Sequence, residues 1–428
     1  MNNSNMQKAG VGEKLQYLVH EQNDNTVRLE VCYPNMLSAE VMGQAVLSVV
    51  QGIDVLHSTF LVENGKAFWK ENFDVTEKDC FSFVETEDDP EKTADEAMLC
   101  QAAPEKKAQL FCTLVNGKDK SALALIVSHL CVDGSDAKYL LEKIAEAYNL
   151  IIAEGSTKKL VLKTGSRSSL QVYEDIKKKD ALSAFKPAEM KGKSPFPFAD
   201  TDAGSKHLVK YTLDSELVNK MKRYGKANGA TLNDLLLTAF YRAYIDMPGV
   251  AIDGPVAITS MMDLRRHRKN GESEGLTNMS GGMPTVLENS IHGSFKETLE
   301  EIAAQTKKAK EDPLAGLYGL PMMHLMGKLV SYDYLMDKMS AAYKESPFIG
   351  MTNLGNLSGE KLTLEGSRPT VAACGGPLKK KPSMQISVIG TAGTITLSCI
   401  GEYTDNDEKA IRSLMEDMVH KLDVASNE

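Results

Sequence analysis

The stretch SALALIVSHLCVDGSDAKYLLEKIAEAYNLIIAE, residues 121–154, contains two elements and the joint between them. Its first part, through Ser128, is the most apolar segment in the first half of the chain and reads as a strand. From Ser135 onward apolar residues recur at three- and four-residue spacing, the signature of a helix, with Ser135 or Asp136 positioned to cap its first turn. The joint is His129-Leu-Cys-Val-Asp133-Gly134. A histidine therefore stands where an apolar strand ends and a helix begins.

Those residue types suit proton transfer. An imidazole is neutral enough near pH 7 to take a proton from a hydroxyl or amine and return it to a departing thiolate, provided one tautomer is held. A glycine after the turn lets the backbone bend tightly, and a carboxylate can pin the loop through an ion pair with an arginine. The ordinary alternative is a half-buried histidine satisfied by backbone groups. With only eight histidines in 428 residues, however, a chance H-x-x-x-D-G match is rare.

Working outward, residues 108–130 form a strand pair turning at Asn116-Gly117, and TVRLEVCYP at 26–34 is a further strand. Residues 38–53 carry helical spacing, and 55–72 form a hairpin turning at Asn64-Gly65. The acidic stretch TEDDPEKTADEA, 86–97, reads as loop. Between 182 and 206 the composition shifts to Pro, Lys, Ala and Gly, which marks a connector between an N-terminal lobe at 1–181 and a C-terminal lobe at 207–428. Beyond it come a strand at 206–213, helices at 215–229 and 232–245, a strand at 255–264, a hairpin at 383–403 turning at Ala392-Gly393, and a last helix at 407–423. Thr231 and Asp234 have capping-box spacing. Strands and helices alternate with hairpins mixed in, so the fold class is α/β with mixed sheets in two lobes, not a TIM barrel or a Rossmann sheet.

Composition narrows the chemistry. The chain is 42% hydrophobic and 25% charged, enough for a sizeable core. Its net charge of −9 argues against a nucleic-acid partner. The lysine runs at 177–179 and 379–381 read as solvated segments. Seven scattered cysteines, none two residues apart from another, fit neither a disulfide framework nor a zinc site, and suit a reducing cytoplasm. No metal is expected. The N-terminus lacks a secretory pattern, and the longest apolar runs fall short of the roughly 20 residues that span a bilayer. No G-x-S-x-G elbow, P-loop or H-E-x-x-H is present.

The motif SHLCVDG resembles the H-H-x-x-x-D-G sequence of the superfamily of chloramphenicol acetyltransferases, peptide-synthetase condensation domains and alcohol acetyltransferases. The resemblance covers most of the chain. LSAEVMGQAVLSVVQGIDVLHSTF is similar to the family's early helix and strand, GATLNDLLLTAFYRAY to the helix opening the second half, MMDLRRHR to a strand end, TNLGNL to a loop and ISVIGTAGTITLSCIGEY to the closing hairpin. It implies two lobes in a V with a channel between them, and His129 as general base in that channel. Asp133 and Gly134 would be structural, with Asp133 paired to Arg265, and the loop at Thr352 and Asn353 would lie near the developing oxyanion or substrate. No cofactor would be resident. The co-substrate would be acyl-CoA or a phosphopantetheine thioester, the acceptor a small hydroxyl or amine compound, and attack would be direct, without an acyl-enzyme.

Departures from the pattern are Ser128 in place of the first histidine and His57 in place of an arginine, and the DFGWG loop of the plant branch is absent. They leave two alternatives open beside an acyl-CoA enzyme: a condensation-type enzyme served by a carrier protein, and a non-catalytic binding protein of the same fold. Cys131, two residues from His129, also raises the idea of a thiol nucleophile; a small buried hydrophobe is the other reading.

Overall fold

The computed structural model describes residues 5–187, 192–198, 204–345 and 348–427. In chain order the first half comprises β1 (Met6–Lys8), α1 (Val11–Tyr17), β2 (Thr26–Tyr33), α2 (Ala39–Gln51), β3 (Ser58–Glu63), β4 (Lys66–Glu71), α3 (Glu77–Cys80), β5 (Phe81–Glu85), α4 (Pro90–Met98), β6 (Leu110–Asn116), β7 (Ser121–Ser128), α5 (Gly134–Glu154) and α6 (Lys178–Ser183). The second half comprises β8 (Ser205–Leu213), α7 (Ser215–Ala227), α8 (Leu232–Ile245), β9 (Val256–Asp263), β10 (Ser280–Leu287), α9 (Phe295–Glu311), α10 (Leu320–Leu329), α11 (Tyr332–Glu345), β11 (Ile349–Asn356), β12 (Val371–Gly375), β13 (Met384–Thr391), β14 (Thr394–Tyr403) and α12 (Asp405–Ser426).

Two large mixed sheets carry the two main cores. The first has strand order β12-β2-β7-β6-β5, the second β10-β9-β11-β13-β14-β8, and β1-β4-β3 form a small third sheet. Strand β7 lies between β2 and β6 and is buried along its whole length, which explains its unbroken apolar composition. On one face α2 and α5 cover it, α5 contributing Leu140, Leu141, Ile144 and Tyr148 to the core. In the second core α8 is buried on nearly every side, between the sheet, α9 and α12.

The mixed α/β architecture read from the sequence is the observed one, and most elements fall where periodicity put them. Asn64-Gly65 and Ala392-Gly393 both turn through positive φ, as tight hairpins require. The Thr231/Asp234 capping box is formed.

Several expectations need correction. The acidic stretch 86–97 is not loop: Asp89 caps α4, Pro90 opens it, and Ala94 and Met98 are buried against β7. Acidic composition hid two apolar positions four residues apart. The turn after β6 is the four residues 117–120, closed by Gly117 N–H donating to the Lys120 carbonyl at 2.9 Å, with Asn116 still in the strand opposite Ser121. Thr352 to Gly355 form the end of strand β11, not a loop. Residues 188–191 and 199–203 of the connector 182–206 lie outside the described residues. Of the remainder, Phe196 and Phe198 pack on the second core.

No single cut separates the two cores. Strand β12, late in the chain, pairs antiparallel with β2 and forms the edge of the first sheet, and Leu357, Leu362 and Leu364 ahead of it pack into the first core. Near that seam an ionic cluster joins the sheets. Lys210 of β8 lies 3.0 Å from Glu30 of β2, 2.9 Å from Glu91 and 2.5 Å from Asp95 of α4. Burial pushes the Glu30 carboxyl up from its ordinary 4.5 to about 8, against the pull of Lys210. A carboxyl raised on folding contributes stability that is full below pH 4.5 and lost as pH rises through about 8. Glu30→Gln removes that dependence, so between pH 5 and 8 the melting temperature of the wild type should fall relative to the variant in paired thermal melts.

Candidate functional site

His129 follows directly on β7. Its backbone N–H donates to the Asn25 carbonyl at 2.7 Å, anchoring the turn to the entry of β2. Residues 129–132 curl back, and the His129 Nδ1 lies 2.7 Å from the Val132 carbonyl oxygen. A carbonyl can only accept, so Nδ1 carries the hydrogen and Nε2 keeps the basic lone pair. The half-buried ring lines a cavity of about 540 Å³ whose wall also includes Gly12, Asp54, Arg167, Asn278 and Lys328, residues from both halves of the chain. Burial is the main cause lowering the imidazole pKa below its ordinary 6.5.

Asp133 faces away from this ring. It is the N-cap of α5: one carboxylate oxygen accepts from the backbone N–H of Ser135 at 3.0 Å and of Asp136 at 3.1 Å. The cap expected at Ser135 or Asp136 therefore belongs to Asp133. The other oxygen accepts from Arg265 Nη1 at 2.7 Å and from the Met279 N–H at 2.7 Å. Arg265 sits in a short turn after β9, is 5% exposed, and also contacts Asp136 at 2.9 Å and Asp263 at 3.1 Å. Sequence reasoning paired Asp133 with Arg265 and missed Asp136 and Asp263. Burial, and next the Asp133 charge, push the Asp136 carboxyl up to about 7, which limits the excess negative charge around one guanidinium.

Gly134 is the first residue of α5 and lies outside the positive-φ region, so the expected backbone bend is not its reason. The reason is space: a Cβ there would sit 3.1 Å from Leu354 Cγ. Leu354 docks the end of β11 onto the first turn of α5. The neighbouring Thr352 and Asn353 are not among the residues lining the His129 cavity. The Asn353 amide donates to Asn233 at 3.1 Å and its oxygen accepts from Gly355 N–H at 2.8 Å, so local partners occupy the side chain expected at an oxyanion. Cys131 lies in the turn, not on an extended strand. It is fully buried, and burial pushes its thiol up to about 12, which removes it as a nucleophile.

The lysine run 379–381 is not a solvated segment. Lys379 is bridged by backbone pairing to Asn23 on one side and Gly401 on the other, its ammonium lies 5.4 Å from the Phe348 ring centre, and burial lowers its pKa to about 8. Its charge also disfavours protonation of His129. Lys381 pairs with Asp407 at 2.6 Å. Only the tertiary pairing brings residue 379 toward residue 129, so no sequence signal marked it.

Two outcomes follow from this geometry. Arg265→Ala leaves Asp133 and Asp136 buried without their cation and should cost about 3–5 kcal/mol in urea unfolding. Lys379→Met removes a positive charge and should raise the His129 pKa, read from the imidazole resonances in an NMR titration.

No protein-family model matches the chain, and no curated protein matches it by sequence. Solved structures do match. The first condensation domain of the CDA synthetase aligns over 100% of this chain and 97% of its own, with a TM-score of 0.70 and 15% identity. Polyketide synthase associated protein 5 from Mycobacterium tuberculosis aligns over 96% of each chain at a TM-score of 0.69 and 12% identity. Trichothecene 15-O-acetyltransferase from Fusarium sporotrichioides aligns over 97% of this chain and 95% of its own, at 0.67 and 14%. The two core-bearing sheets, the histidine turn on the cavity wall and these end-to-end alignments together give this chain the two-lobed fold of the condensation domains and of that acetyltransferase.

Proposed function

We propose that this chain is an acyltransferase that moves an acyl group from a thioester to a hydroxyl or amine, with His129 as general base. The observation that carries the reading is the imidazole itself: Nδ1–H is spent on the Val132 carbonyl, and the basic Nε2 belongs to a ring on a cavity wall. A pKa lowered by burial keeps that ring neutral at pH 7.

The acceptor O–H or N–H gives its proton to Nε2 while its heteroatom bonds to the thioester carbonyl carbon. The tetrahedral intermediate then collapses, the C–S bond breaks, and Nε2 returns the proton to the departing sulfur. The products are an ester or amide and a free thiol. Attack is direct, in keeping with the inert Cys131. Asp133 and Arg265 act by holding the turn, since both oxygens of Asp133 are engaged away from the ring.

The donor in this reading is acyl-CoA or a phosphopantetheine thioester on a carrier protein. Lys8, Lys163, Arg167 and Lys328 in the cavity wall suit a phosphate-bearing arm. The functional lobes in this reading are 1–181 and 207–428, joined through 182–206, with the segment 357–375 of the second packed into the core and sheet of the first. No helix among the described residues is long and apolar enough to cross a membrane, and seven free cysteines suit the cytoplasm as the working compartment.

Thiol release from acyl-CoAs of graded length, and from an acylated carrier protein, with a panel of alcohols and amines tests the reading. His129→Ala should lower kcat/KM about 10²–10⁴-fold. The wild-type kcat/KM should hold down to pH 6.5 and fall only below it, because the free ring titrates below its ordinary value. Turnover unchanged in His129→Ala overturns the proposal.

A further inference from the structure

A second group of chemistry-bearing side chains reaches the same cavity through one member, Asp54. Asp54, His57 and Glu71 bring one nitrogen and two carboxylate oxygens within 4.8 Å of one another. Local structure explains the meeting. Residues 54–57 form one turn of 3-10 helix, where side chains three apart eclipse, so Asp54 and His57 share a face. Glu71 is the cross-strand partner of Ser58 in the β3–β4 ladder, which puts it beside His57.

We infer that Asp54, His57 and Glu71 form a binding site for a divalent first-row transition metal such as Mn²⁺ or Zn²⁺. The histidine is the decisive member. It is 6% exposed, and its Nδ1 lies 3.3 Å from the Asn72 carbonyl oxygen, so Nδ1 carries the hydrogen. Nε2 then faces Glu71, whose oxygen is 3.8 Å away, beyond hydrogen-bond range. A divalent cation placed between that nitrogen and the carboxylate would be held by both. Among the described residues no lysine or arginine forms an ion pair with Asp54 or Glu71. A histidine donating its other nitrogen to a carbonyl is also the arrangement that fixes a metal-ligating ring.

Metal–ligand bonds of about 2.0–2.2 Å need donor atoms roughly 3–3.5 Å apart. Closing from 4.8 Å takes roughly 1.3–1.8 Å, within a rotamer change of the exposed Asp54. One imidazole and two carboxylates suit Mn²⁺ or Zn²⁺ and leave coordination positions for water or a ligand oxygen. Asp54 lines the cavity that His129 lines, so such an oxygen can belong to a molecule bound there. The site stands whether or not the chain transfers acyl groups.

The untagged full chain, stripped with chelator, is titrated with Mn²⁺ while the electron paramagnetic resonance signal of the free ion is followed, and Zn²⁺ is then added in competition. One Mn²⁺ per chain is expected, displaced by Zn²⁺. Glu71→Gln and Asp54→Asn should each weaken binding at least tenfold, as should His57→Ala if it folds, while His420→Ala, an exposed histidine elsewhere, should leave it unchanged. Absence of a stoichiometric site, or an affinity unchanged in Glu71→Gln and Asp54→Asn, overturns the inference and leaves His57 and Glu71 an ion pair only.

Discussion

The contact between Asp133 and Arg265 ties the first turn of α5, in the first half of the chain, to the turn after β9 in the second. A carboxylate with 2% of its surface exposed is retained because each of its oxygens has two donors: two helix N–H groups on one, a guanidinium and the Met279 N–H on the other. The same residue thus caps the helix, anchors the turn that carries His129 and fixes the register between halves. Arg265 in turn reaches Ser273 and the Thr277 carbonyl, so the guanidinium is saturated by geometry that only the assembled fold supplies.

This arrangement separates two tasks that a histidine–aspartate pair often combines. Orientation of the His129 ring comes from the Val132 carbonyl, three residues away, and not from Asp133. Burial is the main cause favouring the neutral base, and the Lys379 ammonium adds to it against the opposing effects of the Val132 hydrogen bond and the Asp133 charge. A carboxylate bonded to the ring would push the other way, toward imidazolium.

The cohesion of the two sheets does not rest on one contact. Lys210 reaches from β8 into three carboxylates of the first half, and β12 carries the second half of the chain into the edge of the first sheet. Leu354 against Gly134 adds a close fit in which an added Cβ would lie 3.1 Å from Leu354 Cγ, so the leucine would have to shift by a few tenths of an ångström.

The residues that meet only local requirements were legible in the sequence. The apolar run of β7, the helical spacing of α5 and α8, the positive-φ turns at Asn64-Gly65 and Ala392-Gly393 and the His129 motif depend on neighbours a few positions away. Where two local signals competed, reading failed: the acidic charge of 86–97 outweighed Ala94 and Met98, and Ser135 and Asp136 drew the cap away from Asp133 just before them. What tertiary structure alone decided is which distant groups meet: Lys379 with His129, Asp136 and Asp263 with Arg265, Glu30 with Lys210, Asp54 and His57 with Glu71. Pair energies and pKa values depend on separation and burial in three dimensions, and neither quantity is carried by order along the chain.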